Sequence, residues 1–362
     1  MSVEFIGFVN THEVSETRPA AGPTIQLDYI EKVARAHEDG GFDRVLIAFG
    51  SSSPESILIG AHAASVTTRL GLMIAHRPGF TAPTIAARQF ATLDQLSKGR
   101  AAVHIITGGD DAEMARDGDH TTKDERYART SEYLDIVKLE WTAEKPFDYR
   151  GKFYQVEQGF SSVKSVQAPH IPVYFGGSSE AAIPVAGKHA DVYALWGETQ
   201  AQVRETIARV RAAAAPHGRN PRFSLSLRPI LAATEEAAWA RADRILEQVK
   251  EIRATRGLPI SGHRPPNEGS KRLLAAASQG SRLDKRLWTG VAALTGAQGN
   301  STSLVGTPEQ VAEALLEYYE LGVTTFLIRG FDPYDDAVDY GTNLVPVVRK
   351  LVREREALKK AG

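Results

Sequence analysis

Three arginines, Arg77, Arg228 and Arg329, each stand at the end of a short apolar run. A guanidinium presents a planar fork of donors to carboxylate, phosphate or sulfonate, so three that converged would make an anion site. The competing account pairs each with a nearby acid such as Glu198, Asp332 or Asp335. The segment Tyr174-Phe-Gly-Gly-Ser-Ser179 runs from an apolar stretch through Gly176 and Gly177 into a helical pattern. Glycines let a ligand approach the backbone, Ser178 and Ser179 donate hydrogen bonds, and the free N–H groups at a helix start favour phosphate. The same residues equally suit a tight turn with one serine as N-cap. His104, between Val103 and Ile105, is either a satisfied core residue or a site residue. His12 follows Thr11 after the first apolar run, and Trp196 either walls a flat ligand or packs over a strand end. No H-x-H or H-E-x-x-H spacing occurs and there is no cysteine, so a metal site is not expected and disulfides and thiol nucleophiles are excluded.

These side chains need a frame, and the sequence alternates strand-like runs with helical patterns. The runs are Phe5–Val9, Val45–Ala48, Leu70–Ala75, Ala101–Ile106, Val173–Phe175, Val192–Leu195, Phe223–Leu231 and Thr325–Ile328. Helical patterns follow at Leu27–Glu38, Ser56–Ser65, Thr84–Leu96, Asp124–Trp141, Glu180–His189, Ala201–Ala215, Glu235–Val249 and Ala337–Val352. Parallel strands need crossovers of helical length, so this order predicts an α/β chain folded as one (β/α)₈ TIM barrel over residues 1–362. The rival is an open doubly wound sheet, but Asn10-Thr11-His12 stands where its G-x-G-x-x-G fingerprint belongs. Residues 146–157 read as a hairpin insertion around Arg150-Gly151-Lys152. The Gly-, Pro-, Arg- and Ser-rich stretch 253–303, with one helical patch at Lys271–Ala277, reads as a largely irregular mobile lid.

The 362 residues carry 43 basic and 44 acidic side chains, a net charge of −1, with 42% hydrophobic and 24% charged residues. That balance offers no electrostatic reason for a nucleic-acid or membrane partner and fits a folded globular chain. No apolar run is long enough to span a bilayer and Met1-Ser2-Val3-Glu4 does not begin a signal peptide, so the expected location is the cytoplasm.

Taken together, Phe8–His12 (FVNTH), Arg77–Thr84 continuing to Ala87-Arg88-Gln89, Ala91–Asp94 with Ser97–Arg100, Thr107-Gly108, Glu125-Arg126-Tyr127, Tyr174–Ser179, Trp196-Gly197-Glu198 and Leu304–Gly306 make the sequence similar to the bacterial luciferase-like flavin monooxygenases. The alkanesulfonate monooxygenase branch is the nearest in pattern. The resemblance implies a luciferase-like (β/α)₈ barrel that takes reduced FMN (FMNH2) from a separate NAD(P)H:FMN reductase, activates O2 at the flavin C4a and inserts one oxygen atom into substrate. It further implies that Tyr127, Ser178, Ser179 and the backbone of Gly176 and Gly177 hold the FMN phosphate. His104, where relatives commonly have asparagine, would touch the flavin, and Thr107 and residues 76–77 would line the ring pocket. Around the substrate the pattern departs from the sulfonate branch: Ser53 replaces a cysteine, Ser226 and Arg228 replace an arginine and a histidine, Thr295 replaces a loop arginine, and Phe331 replaces a tyrosine. The resulting expectation is an oxygenase of a small organosulfonate or related anion, releasing sulfite and an aldehyde in the sulfonate case. His12, Arg228 and Arg329 are the candidate catalytic residues, and Ser53, Arg77, Trp196 and Phe331 line the substrate. By analogy with relatives a homodimer or homotetramer is expected. The alternatives are a deazaflavin (F420)-dependent hydride-transfer enzyme of the same fold and a flavin-binding barrel without activity.

Overall fold

The computed structural model describes residues 3–259 and 267–361. In chain order its elements are β1 (Glu4–Val9), α1 (Leu27–Asp39), β2 (Arg44–Ile47), α2 (Ser56–Ser65), β3 (Gly71–His76), α3 (Pro83–Leu96), β4 (Ala101–Ile106), α4 (Asp111–Arg116), α5 (Lys123–Thr142), β5 (Phe147–Arg150), β6 (Gln155–Gly159), β7 (Val173–Gly176), α6 (Ala182–His189), β8 (Val192–Trp196) and α7 (Gln200–Ala214). There follow β9 (Arg222–Leu227), β10 (Ile230–Leu231), α8 (Glu235–Thr255), α9 (Glu268–Ala277), β11 (Arg282–Leu283), β12 (Leu287–Trp288), α10 (Gly290–Thr295), β13 (Ser303–Gly306), α11 (Pro308–Glu320), β14 (Val323–Ile328), α12 (Pro333–Asp339) and α13 (Val345–Ala361). Eight strands close a barrel in the order β1-β14-β9-β8-β7-β4-β3-β2 with helices between them, the expected (β/α)₈ architecture. The chain divides into two compact units, one of residues 1–45, 194–208 and 222–362, the other of residues 46–193 and 209–221.

Four sequence expectations are corrected. The run Phe223–Leu231 is two strands: β9 stays in the barrel, whereas β10 pairs with β13 in a separate four-stranded sheet of order β10-β13-β12-β11. Pro229 lies at the break, and a residue without an N–H cannot extend a ladder. Helix α11 was not anticipated, although its Thr307 and Gln310 form a reciprocal capping box with Pro308 at the first turn. The helical pattern at 337–352 is interrupted by a π-turn at Tyr340–Leu344, where Gly341 packs against the backbone of Gly40 and the Tyr340 hydroxyl donates to the Pro229 carbonyl. Finally, the described part of the 253–303 stretch is not irregular but holds α9, β11, β12 and α10. Residues 260–266 of that expected lid lie outside the described residues, as do Met1 and Ser2. At the expected 146–157 hairpin, β5 and β6 pair antiparallel.

Several resemblance-bearing residues build the frame. In the second unit, Asp94, fully buried on α3, accepts from Val166 N at 2.8 Å, Gln167 N at 3.2 Å, Gln167 Nε2 at 2.7 Å and Ala101 N at 3.4 Å. Lys98 and Gly99 take the left-handed conformation that turns α3 into β4. Arg100 donates to the carbonyls of Ala64 and Leu70 at 2.8 and 3.0 Å, tying the end of α2 to the foot of β3. In the first unit, a Cβ on Gly7 would overlap the His37 ring, whose Nδ1 donates to Val33 O at 2.8 Å. Burial lowers the His37 pKa to about 4, partly offset by that bond, and burial does the same to His76.

Asp94→Ala strands buried donors and is expected to cost about 3 kcal/mol or more in urea unfolding; a loss under about 1 kcal/mol would contradict this reading. His37 and His76 resist protonation when folded but accept it near 6.5 when unfolded. Their contribution is therefore complete above about pH 6.5 and declines as pH falls toward 4. The urea midpoint should drop between pH 7 and 5, with ring NMR signals of both histidines still those of the neutral form at pH 5.

Candidate active site

In the second unit, β4 and β7 pair in parallel with His104 opposite Tyr174 and Ile106 opposite Gly176. Alternate residues of a strand share a face, so the polar residues at these ends meet on one side. Gly176 lies against the His104 ring, 3.5 Å from Cε1 to where a Cβ would be. His104 Nδ1 is buried without a hydrogen-bond partner, and burial pulls its pKa down to about 4, so the ring is neutral at pH 7. Gly177 has φ +150°, and a Cβ there would press on the Tyr127 hydroxyl at 2.7 Å. The Gly177 carbonyl accepts a 2.6 Å hydrogen bond from the Tyr193 hydroxyl. Tyr127, from α5, is buried; burial raises its pKa, partly offset by the neighbouring Ser179 hydroxyl. Ser179 Oγ is buried with no hydrogen-bond partner of good geometry. The Ser179 carbonyl accepts from Ala182 and Ile183, opening α6. Neither serine caps α6 in the way the turn reading required: its N-cap is Ala181, with no side-chain hydrogen bond. Thr107 is buried 3.4 Å from the Thr130 hydroxyl.

At the end of β3, Arg77 is buried and pairs with Glu113 of α4 at 2.8 Å. Its Nε and Nη1 are buried without hydrogen-bond partners, and its guanidinium lies 5.3 Å from the Phe49 ring centroid. Next to it His76 Nε2 meets the Tyr133 hydroxyl at 2.6 Å. Ser53 is exposed in a tight turn, its amide donating to Gly50 O at 3.0 Å.

In the first unit, Arg228 and Arg329 converge on a residue the sequence did not single out, Glu16 of the loop after β1. The distances are 2.7 Å from Arg228 Nη1 and 3.5 Å from Arg329 Nη2. Arg228 is fully buried, its guanidinium stacked 3.5 Å from the Phe331 ring centroid and donating to Gly330 O at 2.9 Å. Phe331 is itself held by hydrogen bonds from the Ser15 and Thr17 hydroxyls to its carbonyl. Burial disfavours the Glu16 carboxylate, but the charges of Arg228 and Arg329 outweigh that and hold its pKa at about 2. Burial and the like charge of Arg228 pull Arg329 down to about 10 against the attraction of Glu16. None of the acids proposed from sequence serves these arginines. Asp332 pairs with Arg18 and Arg241, Asp335 lies by Arg18, and Glu198 takes a bidentate grip from Arg272 of α9 at 2.8–3.0 Å. Trp196 at the end of β8 packs with α9, Gly269 lying against its ring. His12 is half-buried, its Nδ1 3.0 Å from Thr24 O.

Sequence reasoning thus missed Glu16, Glu113, Arg272 and Asn300, whose backbone carbonyl faces Arg329 Nη2 at 3.5 Å. Glu16 and Glu113 lie in the loop after β1 and the first turn of α4, where charged residues are too common to pick out alone, and Arg272 and Asn300, inside α9 and between α10 and β13, carry no positional signal of that kind.

Comparison with known proteins supports this frame. A riboflavin lyase solved with modified FMN and riboflavin is 21% identical, covering 97% of this chain and 92% of the other, with a TM-score of 0.80. An EDTA monooxygenase from Chelativorans sp. BNC1 is 20% identical over 97% and 94%, with a TM-score of 0.78. An F420-dependent secondary alcohol dehydrogenase shares the fold at 17% identity over 96% and 99%, with a TM-score of 0.70. No helix among the described residues is long and apolar enough to cross a membrane. The luciferase-like monooxygenase profile matches residues 3–325, and the chain belongs to that family of flavin-dependent enzymes.

Proposed function

We propose that this chain is the oxygenase of a two-component system, using reduced FMN delivered by a separate NAD(P)H:FMN reductase to oxygenate a small organosulfonate or related anion. The observation that carries the flavin reading is the cradle at Gly177. Any side chain there would fill the space beside the Tyr127 hydroxyl, and the adjoining Ser179 hydroxyl is buried with no hydrogen-bond partner of good geometry. A phosphate satisfies such a set of neutral donors. Tyr127, Ser178, Ser179 and the backbone of Gly176 and Gly177 hold the phosphate, while His104 and Thr107 face the ring system, His104 as a neutral imidazole. When bound, reduced FMN supplies the electrons that activate O2.

The chain's own residues bind, orient and exclude water. In this reading Arg228 and Arg329 hold the anionic end of the substrate, and Arg77 keeps two donors available at the end of β3. Trp196, covered by α9 and anchored through Arg272 to Glu198, keeps one wall dry. His12 and Phe331 complete the substrate's surroundings.

The test is anaerobic titration with reduced FMN and, in parallel, reduced F420, followed by oxygen mixing and a sulfite-release screen with a reductase present. Binding of F420 but not FMN would overturn the flavin assignment. Peroxide as the only product across sulfonates would overturn the substrate assignment alone. Gly177→Val is expected to weaken reduced FMN at least about tenfold with the circular dichroism spectrum retained; unchanged affinity would remove the cradle from the mechanism.

A further inference from the structure

The anion site of the first unit contains its own anion, and this narrows what it accepts. Arg228, Arg329 and Glu16 together sum to one positive charge. Glu16 stays ionised across the physiological range, so a dianionic head would face a fixed carboxylate as well as the two cations. Buried groups around this trio are also incompletely satisfied in both senses. The Nε atoms of Arg228 and Arg329 have no hydrogen-bond partner, nor has either end of the Asn300 side-chain amide. Native structures leave few such atoms, and a cluster of them beside a fully buried guanidinium is the pattern of a site that a ligand completes.

The donors, Arg228 Nε, Arg329 Nε and Asn300 Nδ2, suit the oxygens of one sulfonate or carboxylate. The acceptors, Asn300 Oδ1 and the Glu16 carboxylate, suit nothing on a plain alkyl anion, whose polar atoms are all acceptors. From this we infer that the substrate is a small molecule with a single anionic head, sulfonate or carboxylate, that also carries a hydroxyl or ammonium donor near that head, and that Glu16 is the residue selecting for the donor. The inference rests on the reading of Arg228 and Arg329 as the substrate's anion site. A ligand without the donor leaves the two acceptors facing its own oxygens, and discrimination by unpaired buried acceptors is large compared with discrimination by an added methylene.

Isothermal titration of the full chain, saturated with FMN, compares ethanesulfonate, isethionate, taurine and ethanedisulfonate, with wild type, Glu16→Gln, Glu16→Asp and Arg228→Met. In wild type, isethionate or taurine is expected to bind at least about tenfold tighter than ethanesulfonate, and ethanedisulfonate most weakly. Glu16→Gln should shrink the advantage to within about threefold and strengthen ethanedisulfonate; Glu16→Asp should keep the order of preference. Equal wild-type affinities for ethanesulfonate, isethionate and taurine, all lost in Arg228→Met, would overturn the donor requirement while leaving the anion site in place. Failure of all four to bind protein that still binds FMN would overturn the anion site and this inference with it. The wild-type series decides the matter even if a variant at Glu16 does not fold.

Discussion

A guanidinium removed from water must find a counter-charge and partners for its N–H groups, and at Arg228 the first unit supplies Glu16, the Gly330 carbonyl and the Phe331 ring while leaving Nε without a partner. The residue sits where β9 ends, Pro229 forbids the ladder to continue, and its backbone N–H bonds to Thr302 O at 3.0 Å instead. From that point the chain leaves the barrel for β10, so the break that frees the side chain also creates the small sheet. Tyr340 closes the site from behind by donating to Pro229 O, which accounts for a fully buried tyrosine in a π-turn, a feature that often marks functional positions. Phe331 beneath the guanidinium and Glu16 beside it supply the cation–π and charge terms. Removing the glutamate leaves two like charges facing each other without their shared counter-charge, so Glu16 is the member on which the other two depend.

The barrel was readable because parallel strands buried on both faces appear as short apolar runs at helix-length spacing. Ala101–Ile106 and Ser56–Ser65 match their elements end for end. The misreadings occur where a local rule was present but outvoted by a longer pattern. Apolarity continues across Pro229, hiding the strand break. The capping box at Thr307 was overlooked because the preceding fifty residues are rich in turn formers. Helical periodicity passes through Tyr340–Leu344 almost unbroken, since a π-turn adds only one residue to the ring. Turn-forming composition at 253–303 predicted irregularity, yet Asn267 caps α9 by accepting from Ser270 N, and short elements form there even with Gly269 inside α9 and Gly290 opening α10.

The site was legible in its residue types and illegible in its pairings. Glycine and serine before α6, and arginines at strand ends, are visible because each carries its chemistry in its own side chain. Partners are not, because Arg228 and Glu16 are joined only by the closing of the chain. Proximity in sequence favoured Asp332 and Asp335 for Arg329, yet those acids are occupied by Arg18 and Arg241. The acids nearest in sequence lie on α12 or at its start, where they serve the helix and its neighbours.

The two halves of the proposed chemistry use different donors, and the difference follows from what each ligand must do. Beside Gly177 the donors are neutral: a phenol, hydroxyls and amides. Neutral hydrogen bonds each contribute about 1 kcal/mol, against about 1.5–3 when one partner is charged. A cradle of this kind holds a phosphate in place without the depth of binding that ion pairs give, which suits a reduced flavin that arrives from a reductase and leaves after each turnover. At Arg228 the donors are charged but partly spent on Glu16. An internal carboxylate lowers the reward for any anion while sharpening the choice among them, because a ligand is favoured only to the extent that it satisfies the pair better than Glu16 alone does. On this view the protein takes its specificity from a carboxylate it keeps beside the substrate, and its exchange of flavin from a phosphate site built of neutral donors.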